Sequence, residues 1–306
     1  MTRRTCPLTC LALAFFLAGC STTIRSTHLQ PLQTPNASAR PWTSLAANDD
    51  PRDFNFVVVS DRTGEHRPGV FRDAMAQINL LEPAFVVSVG DLIEGYTEDP
   101  DTLRKEWTEI EGYVDTLGQP FFYAAGNHDM SNAVMAEEWQ ARFGPSYYAF
   151  VYKDVLFLTL NSELFGMVHD PSQSVPGPFD PQEQMDWLEK TLTDVPNPRW
   201  TIVLVHQPLW DSPRIHPDWL RAEEMLANRP HTVFAGHQHR YVEHRRHGQS
   251  YITLATTGGG SELRGPTYGE FDQVALVSMT EQGPVIANLD LQGIYPSDIV
   301  DRKSVV

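Results

Sequence analysis

The chain is poor in cysteine and in positive charge. Its three cysteines, Cys6, Cys10 and Cys20, all lie within the first 20 of 306 residues. From residue 21 onward a disulfide framework is therefore excluded, and packing and bound cations must supply the stability. Lysine and arginine number 23 against 39 aspartates and glutamates, a formal charge of −16. That balance argues against a nucleic-acid partner, whose sequence-independent recognition needs a basic face. The one basic cluster, "RYVEHRRH" at 240–247, is interrupted by Glu243 and alternates as an exposed strand face does. Any phosphate chemistry would thus rely on bound cations for positive charge. The chain contains no repeat of solenoid length and no "GxSxG" elbow, so neither a solenoid nor a metal-independent serine hydrolase is expected.

Long hydrophobic runs are scarce too. The apolar stretch at 8–18 is too short to span a bilayer. It follows Arg3 and Arg4 and ends in small residues, the layout of a secretory signal. The "LAGC" ending at Cys20 resembles the lipobox of bacterial lipoproteins. That resemblance implies cleavage before Cys20 and membrane attachment through its lipidated thiol. Cleavage removes Arg3 and Arg4 and takes the charge from −16 to −18. The expected organisation is a signal peptide at 1–19, a lipidated Cys20 with a flexible tether over 20–52, and one domain over 53–306. The tether is polar, with Pro31, Pro35, Pro41 and Pro51. Ser21 resembles the outer-membrane sorting pattern, which puts the expected location at the bacterial cell envelope, on the periplasmic side of an outer membrane where the source has one.

From Asp53 the chain alternates short apolar runs with amphipathic stretches. "FNFVVVS" (54–60), "AFVVSVG" (84–90), "FFYAAG" (121–126), "WTIVLVH" (200–206) and "HTVFAG" (231–236) barely alternate, as suits strands buried on both faces. Phe71, Ala74, Met75 and Ile78 fall on one helical face, as do Leu103, Trp107, Ile110, Val114 and Leu117. "DPQEQMDWLEKTL" starts as a helix should, with Asp180 as N-cap and Pro181 after it. "YYAFVY" and "VLFLTL", separated by Lys153 and Asp154, predict a hairpin, and after residue 238 four strand-like segments follow. The fold class is α/β with an antiparallel part and a second sheet.

Each of the five apolar runs ends in a metal-capable residue: Asp61; Asp91 in "VGDLIEG"; Asn127, His128 and Asp129 in "AGNHD"; His206 in "VLVHQP"; and His237 and His239 in "AGHQH". Singly these are turn residues and caps. Five in succession at strand ends point to one site at one sheet edge. The set resembles the calcineurin-like metallophosphoesterases, whose order is D-x-H, GD, GNH[DE], H and GHxH. The resemblance implies a four-layer α/β/β/α sandwich of two mixed sheets with two divalent ions, Mn²⁺ or Fe and Zn²⁺, at the strand ends. It implies that Asp91 bridges the ions, that Asn127, His206 and His237 complete one site, and that Asp61 and His239 serve the other. It also implies hydrolysis of a small-molecule phosphoric ester, whether mono-, di- or pyrophosphate, by a metal-activated hydroxide. His128 would be the general acid and Asp129 would orient its ring.

The sequence departs from the family at Thr63, which stands where the first motif has histidine. A neutral hydroxyl is a poor donor beside imidazole, so three substitutes are open: Glu94, a harder ligand favouring Mn²⁺, Mg²⁺ or Fe; His66 from the loop; or water. Arg62, Thr63, Gly258, Gly259 and Arg264 are candidate substrate contacts, the glycines through their amides. "WDSPRIHPDW" (210–219) is expected to wall the cleft, with His216, like His169, a surface residue. The competing reading is a catalytically silent envelope binding protein on the same fold.

Overall fold

Buried strands in this chain have no polar face because each is covered on both sides. β1 (Phe54–Val59) turns Val57 and Val59 toward the helices and Phe54, Phe56 and Val58 toward a second sheet. In the other sheet, β5 (Val155–Leu160) and β6 (Trp200–Val205) divide in the same way between the inter-sheet core and an outer helix layer. This two-sided burial is why the runs do not alternate.

The computed structural model describes residues 43–44, 47, 49–165, 177–211 and 216–293. The signal segment with Cys6, Cys10 and Cys20, most of the tether, and His169 lie outside the described residues. No helix among the described residues is long and apolar enough to cross a membrane.

β2 (Val86–Ser88) and β3 (Phe121–Phe122) extend β1 in parallel, and β10 (Gln273–Thr280) and β11 (Gly283–Asp290) add an antiparallel flank. The first sheet is ordered β11-β10-β1-β2-β3. The second runs β4-β5-β6-β7-β9-β8, with β4 (Tyr148–Tyr152), β7 (His231–Ala235), β8 (Val242–Arg246) and β9 (Gln249–Thr253). α1 (Val70–Leu81), α2 (Pro100–Val114) and α3 (Ala133–Phe143) cover the first sheet. α4 (Pro181–Asp194) and α5 (Pro217–Leu226) cover the second. The result is the four-layer α/β/β/α sandwich with two mixed sheets, and a core between them in which Phe56, Phe85, Phe157 and Phe234 pack among aliphatic side chains.

Local signals explain the boundaries. Asp180 caps α4 by accepting from the Gln182 amide, with Pro181 following it. The β4–β5 hairpin turns through Lys153 and Asp154, both at positive φ. Two helices, α3 and α5, are not foreshadowed in the sequence. α3 has too few apolar positions for a clear stripe, and α5 follows the proline-broken stretch after Trp210.

Candidate metal centre

The strand ends deliver their polar residues to one place. β2 ends at Ser88, and the chain then turns sharply so that Asp91 takes φ 59, in the left-handed region. His237 and His239, after β7, do likewise at φ 70 and 51. Three predicted ligands therefore sit in conformations that non-glycine residues rarely adopt, strain of a kind that accumulates at functional sites. The neighbouring glycines make room. A Cβ on Gly126 would collide with Asp91 Oδ1 and His206, and one on Gly236 with the Asp61 carboxylate.

One donor group is tightly assembled. Ligand atoms of Asp91, His206 and His237 all lie within 4.8 Å of one another. His206 Nε2 is 2.9 Å from Asn127 Oδ1, 3.1 Å from Asp91 Oδ2 and 3.2 Å from His237 Nδ1. The His206 ring is set by its other nitrogen, which donates to the Val89 carbonyl at 3.0 Å. His239 and His128 follow the same plan, with Nδ1 held by the carbonyls of Gly260 (2.6 Å) and Glu94 (2.7 Å). Nε2 of each ring is thereby left for the centre. His237 alone presents Nδ1.

The second donor group is looser. Asp61 is fully buried, and its Oδ1 lies 3.4 Å from His239 Nε2 and accepts from the His237 amide at 2.7 Å. Burial raises the Asp61 pKa, but the His239 hydrogen bond and the charges of His206 and His239 outweigh it and hold the group at about 2. Thr63 is buried in the expected place, with its hydroxyl near the Glu94 carboxylate but in no hydrogen bond of good geometry.

Mixed carboxylate, amide and imidazole donors suit Mn²⁺, Fe or Zn²⁺. The electrostatics also ask for a cation. Burial and the nearby Asp91 carboxylate push Asp129 up to about 7. In the metal-free chain His206 is pushed up to about 10: burial lowers it, but Asp91 and Asp61 raise it more. A proton thus sits where a divalent ion would, and the residues fit such an ion.

Several side chains have partners that spacing did not predict. The Asp129 carboxylate does not orient His128. It accepts from the amides of Asp91 (2.7 Å), Leu92 (2.9 Å), Ile93 (3.3 Å) and Gly126 (2.9 Å), pinning the ligand loops together. Glu94 and His66 hold each other, Nδ1 to Oε1 at 2.7 Å, with the His66 amide on the same oxygen at 2.9 Å. Neither belongs to the assembled donor group. Arg62 is buried and bonded to Glu109 at 2.9 Å, away from the role of substrate contact, because a buried guanidinium needs a carboxylate. Arg264 is engaged by Glu270 and Glu262 and lies over the Tyr268 ring.

The glycine-rich run at 256–260 is a brace rather than a phosphate cradle. The Gly259 amide bonds to the Asp61 carbonyl and the Gly260 amide to the Gly64 carbonyl, while Gly258 packs on Val70. His216 does not simply face solvent. With Gln207, Leu209, Asp211 and Gln238 it lines a cleft of ≈260 Å³ that reaches His237. A larger cavity of ≈620 Å³, lined by Tyr147, Tyr148, Phe179, Glu183 and Trp187, shares no residue with the centre and contains no histidine. Sequence reasoning missed Tyr96, whose hydroxyl accepts from Asn127 Nδ2 at 2.8 Å. Its place just after "GDLIEG" was the available signal.

Comparison with known proteins agrees with this fold. The family model described as calcineurin-like phosphoesterase matches residues 54–241. The serine/threonine-protein phosphatase CPPED1 of Mus musculus is 31% identical over 219 residues, 64% of this chain and 66% of that protein. This chain therefore spans just under two thirds of that relative's length. The 3',5'-cyclic adenosine monophosphate phosphodiesterase CpdA of Escherichia coli (strain K12) is 23% identical over 179 residues, 56% of this chain and 60% of that protein. The crystal structure of a dimetal phosphatase from Danio rerio superposes with a TM-score of 0.55 at 16% identity, over 77% of this chain and 98% of that one, a likeness of fold.

Proposed function

Because the chain belongs to the calcineurin-like phosphoesterase family, we propose that it is a metal-dependent hydrolase of small phosphoric esters. The observation that carries this reading is the convergence of Asp91, Asn127, His206 and His237 on one point, with imidazole lone pairs fixed by backbone carbonyls. Asp91, Asn127, His206 and His237 would hold one divalent ion, and Asp61, His239 and Asp91 a second, with water completing the place that Thr63 leaves. Such ions supply Lewis acidity toward phosphate oxygens and make water nucleophilic at neutral pH. We take Mn²⁺ as the native ion, one of those that the mixed oxygen and imidazole donor set suits.

His128 does the proton chemistry. Its Nδ1–H donates to the Glu94 carbonyl, which fixes the ring and leaves Nε2 to protonate the leaving oxygen. The relatives named for a protein phosphatase and a cyclic-nucleotide phosphodiesterase bracket the ester classes to test. Attachment through Cys20 would place the activity at the bacterial cell envelope, on the periplasmic side of an outer membrane where the source has one.

Chelation should abolish hydrolysis of p-nitrophenyl phosphate or its bis ester, and Mn²⁺ should restore it. His128→Ala should retain metal and lose roughly 10²–10⁴ in turnover on an alkyl phosphate. A protein that binds two Mn²⁺ ions per chain and hydrolyses no ester would be the silent binding protein instead.

A further inference from the structure

The loop 94–96 closes around His128 on three sides. The Glu94 carbonyl takes Nδ1 at 2.7 Å. A Cβ on Gly95 would strike the His128 carbonyl and the Met135 methyl, so the backbone passes there in close contact. The edge of the Tyr96 ring meets the imidazole, with centroids 4.6 Å apart and planes at 78°. Tyr96 itself takes φ 47, a strained conformation for a bulky residue. It is 60% exposed, so burial of the ring is not what holds it in that conformation.

The hydroxyl explains the placement. Tyr96 Oη accepts from Asn127 Nδ2 at 2.8 Å, and the other end of that amide, Oδ1, points at His206 Nε2. The hydroxyl therefore lies one amide group away from the donor cluster. Since the hydroxyl acts as acceptor toward Asn127, its proton is directed elsewhere. Three guanidinium groups of the surrounding loops are already committed: Arg62 to Glu109, Arg67 to Asp272 and the Gly259 carbonyl, Arg264 to Glu270.

On the hydrolase reading above, we propose that Tyr96 is a catalytic residue whose hydroxyl donates a hydrogen bond to a non-bridging phosphate oxygen of the substrate, with Asn127 fixing its direction. It is a neutral donor in a site where the guanidinium groups of Arg62, Arg67 and Arg264 are paired with carboxylates. A preorganised donor of this kind strengthens its bond as charge gathers on the phosphoryl oxygens.

The test is Tyr96→Phe in the full-length, Mn²⁺-loaded protein, which keeps the ring against His128 and removes only the hydroxyl. Turnover of p-nitrophenyl phosphate and of an alkyl phosphate should fall by the same factor, roughly 10- to 100-fold, as expected for one hydrogen bond to a charged group. Inorganic phosphate, titrated calorimetrically, should bind more weakly by roughly tenfold or more on the same grounds. Metal content and Tm should not change. A loss confined to the alkyl ester would mean that Tyr96 only supports the acid His128, and would overturn the proposal, as would unchanged kinetics. Wild-type protein inactive on both esters would overturn the hydrolase reading and this proposal together. An active wild type with an unaffected variant overturns this proposal alone.

Discussion

Replacing Asp129 by asparagine separates what this residue does from what its neighbour in "GNHD" suggests. Both carboxylate oxygens are used: Oδ1 accepts from Leu92 and Ile93, and Oδ2 from Asp91 and Gly126. However the asparagine amide is turned, its NH₂ faces two backbone N–H groups that have no other acceptor, in a site with no exposure. Each buried donor left without a partner costs about 1–3 kcal/mol, so the substitution should destabilise by about 2–6 kcal/mol. That is a large share of a stability of about 5–15 kcal/mol, and for a domain of this size it should lower Tm by on the order of 10 °C. The Asp91 loop should also lose its left-handed turn, and Mn²⁺ affinity should fall with it. The measurement is thermal unfolding of metal-free protein at pH 8, where a carboxyl that titrates near 7 is ionised, followed by a Mn²⁺ titration. If Asp129→Asn keeps its Tm and its metal but loses turnover on alkyl esters only, Asp129 acts on His128 and the structural account given above is wrong.

Other predictions follow from the same geometry. Gly126→Ala should abolish binding at the tighter site, because the new Cβ would occupy the space of Asp91 Oδ1 and His206; metal analysis after Mn²⁺ loading and desalting should show the loss, and a full complement of ions would count against that site. In metal-free protein the His206 pKa is raised to about 10 from an unfolded value of about 6.5. Its contribution to stability is therefore fully present below pH 6.5 and disappears as pH rises through about 10. Metal competes with that proton, so Mn²⁺ affinity should rise over the same range while metal-free Tm falls. A metal-free Tm profile identical to that of His206→Gln would refute this assignment.

Much of the site could be read from the chain alone because its logic is local. A strand buried on both faces is a continuous apolar run, and the residue after its end is necessarily at the sheet edge. Five such residues in succession imply one site at one sheet edge. Capping at Asp180 and the turn at Lys153 and Asp154 are local in the same sense. α3 escaped because its stability comes from tertiary packing around Trp139 rather than from a strong stripe, and α5 because its stripe of Trp219, Ala222 and Leu226 is short and follows a proline-broken stretch.

The identity and order of the candidate ligand residues, the departure at Thr63 and the absence of disulfides beyond residue 20 were thus determined by the sequence. Which atom each candidate ligand presents, and to whom, was decided only by the tertiary structure. Whether an imidazole offers Nε2 or Nδ1 depends on a carbonyl far along the chain: Val89 for His206, Gly260 for His239. The partners of Asp129, Arg62, Glu94 and Tyr96 were likewise settled by which loops the sheet edge brings together. Hydrogen bonds and charges act through space, over distances that sequence spacing does not encode.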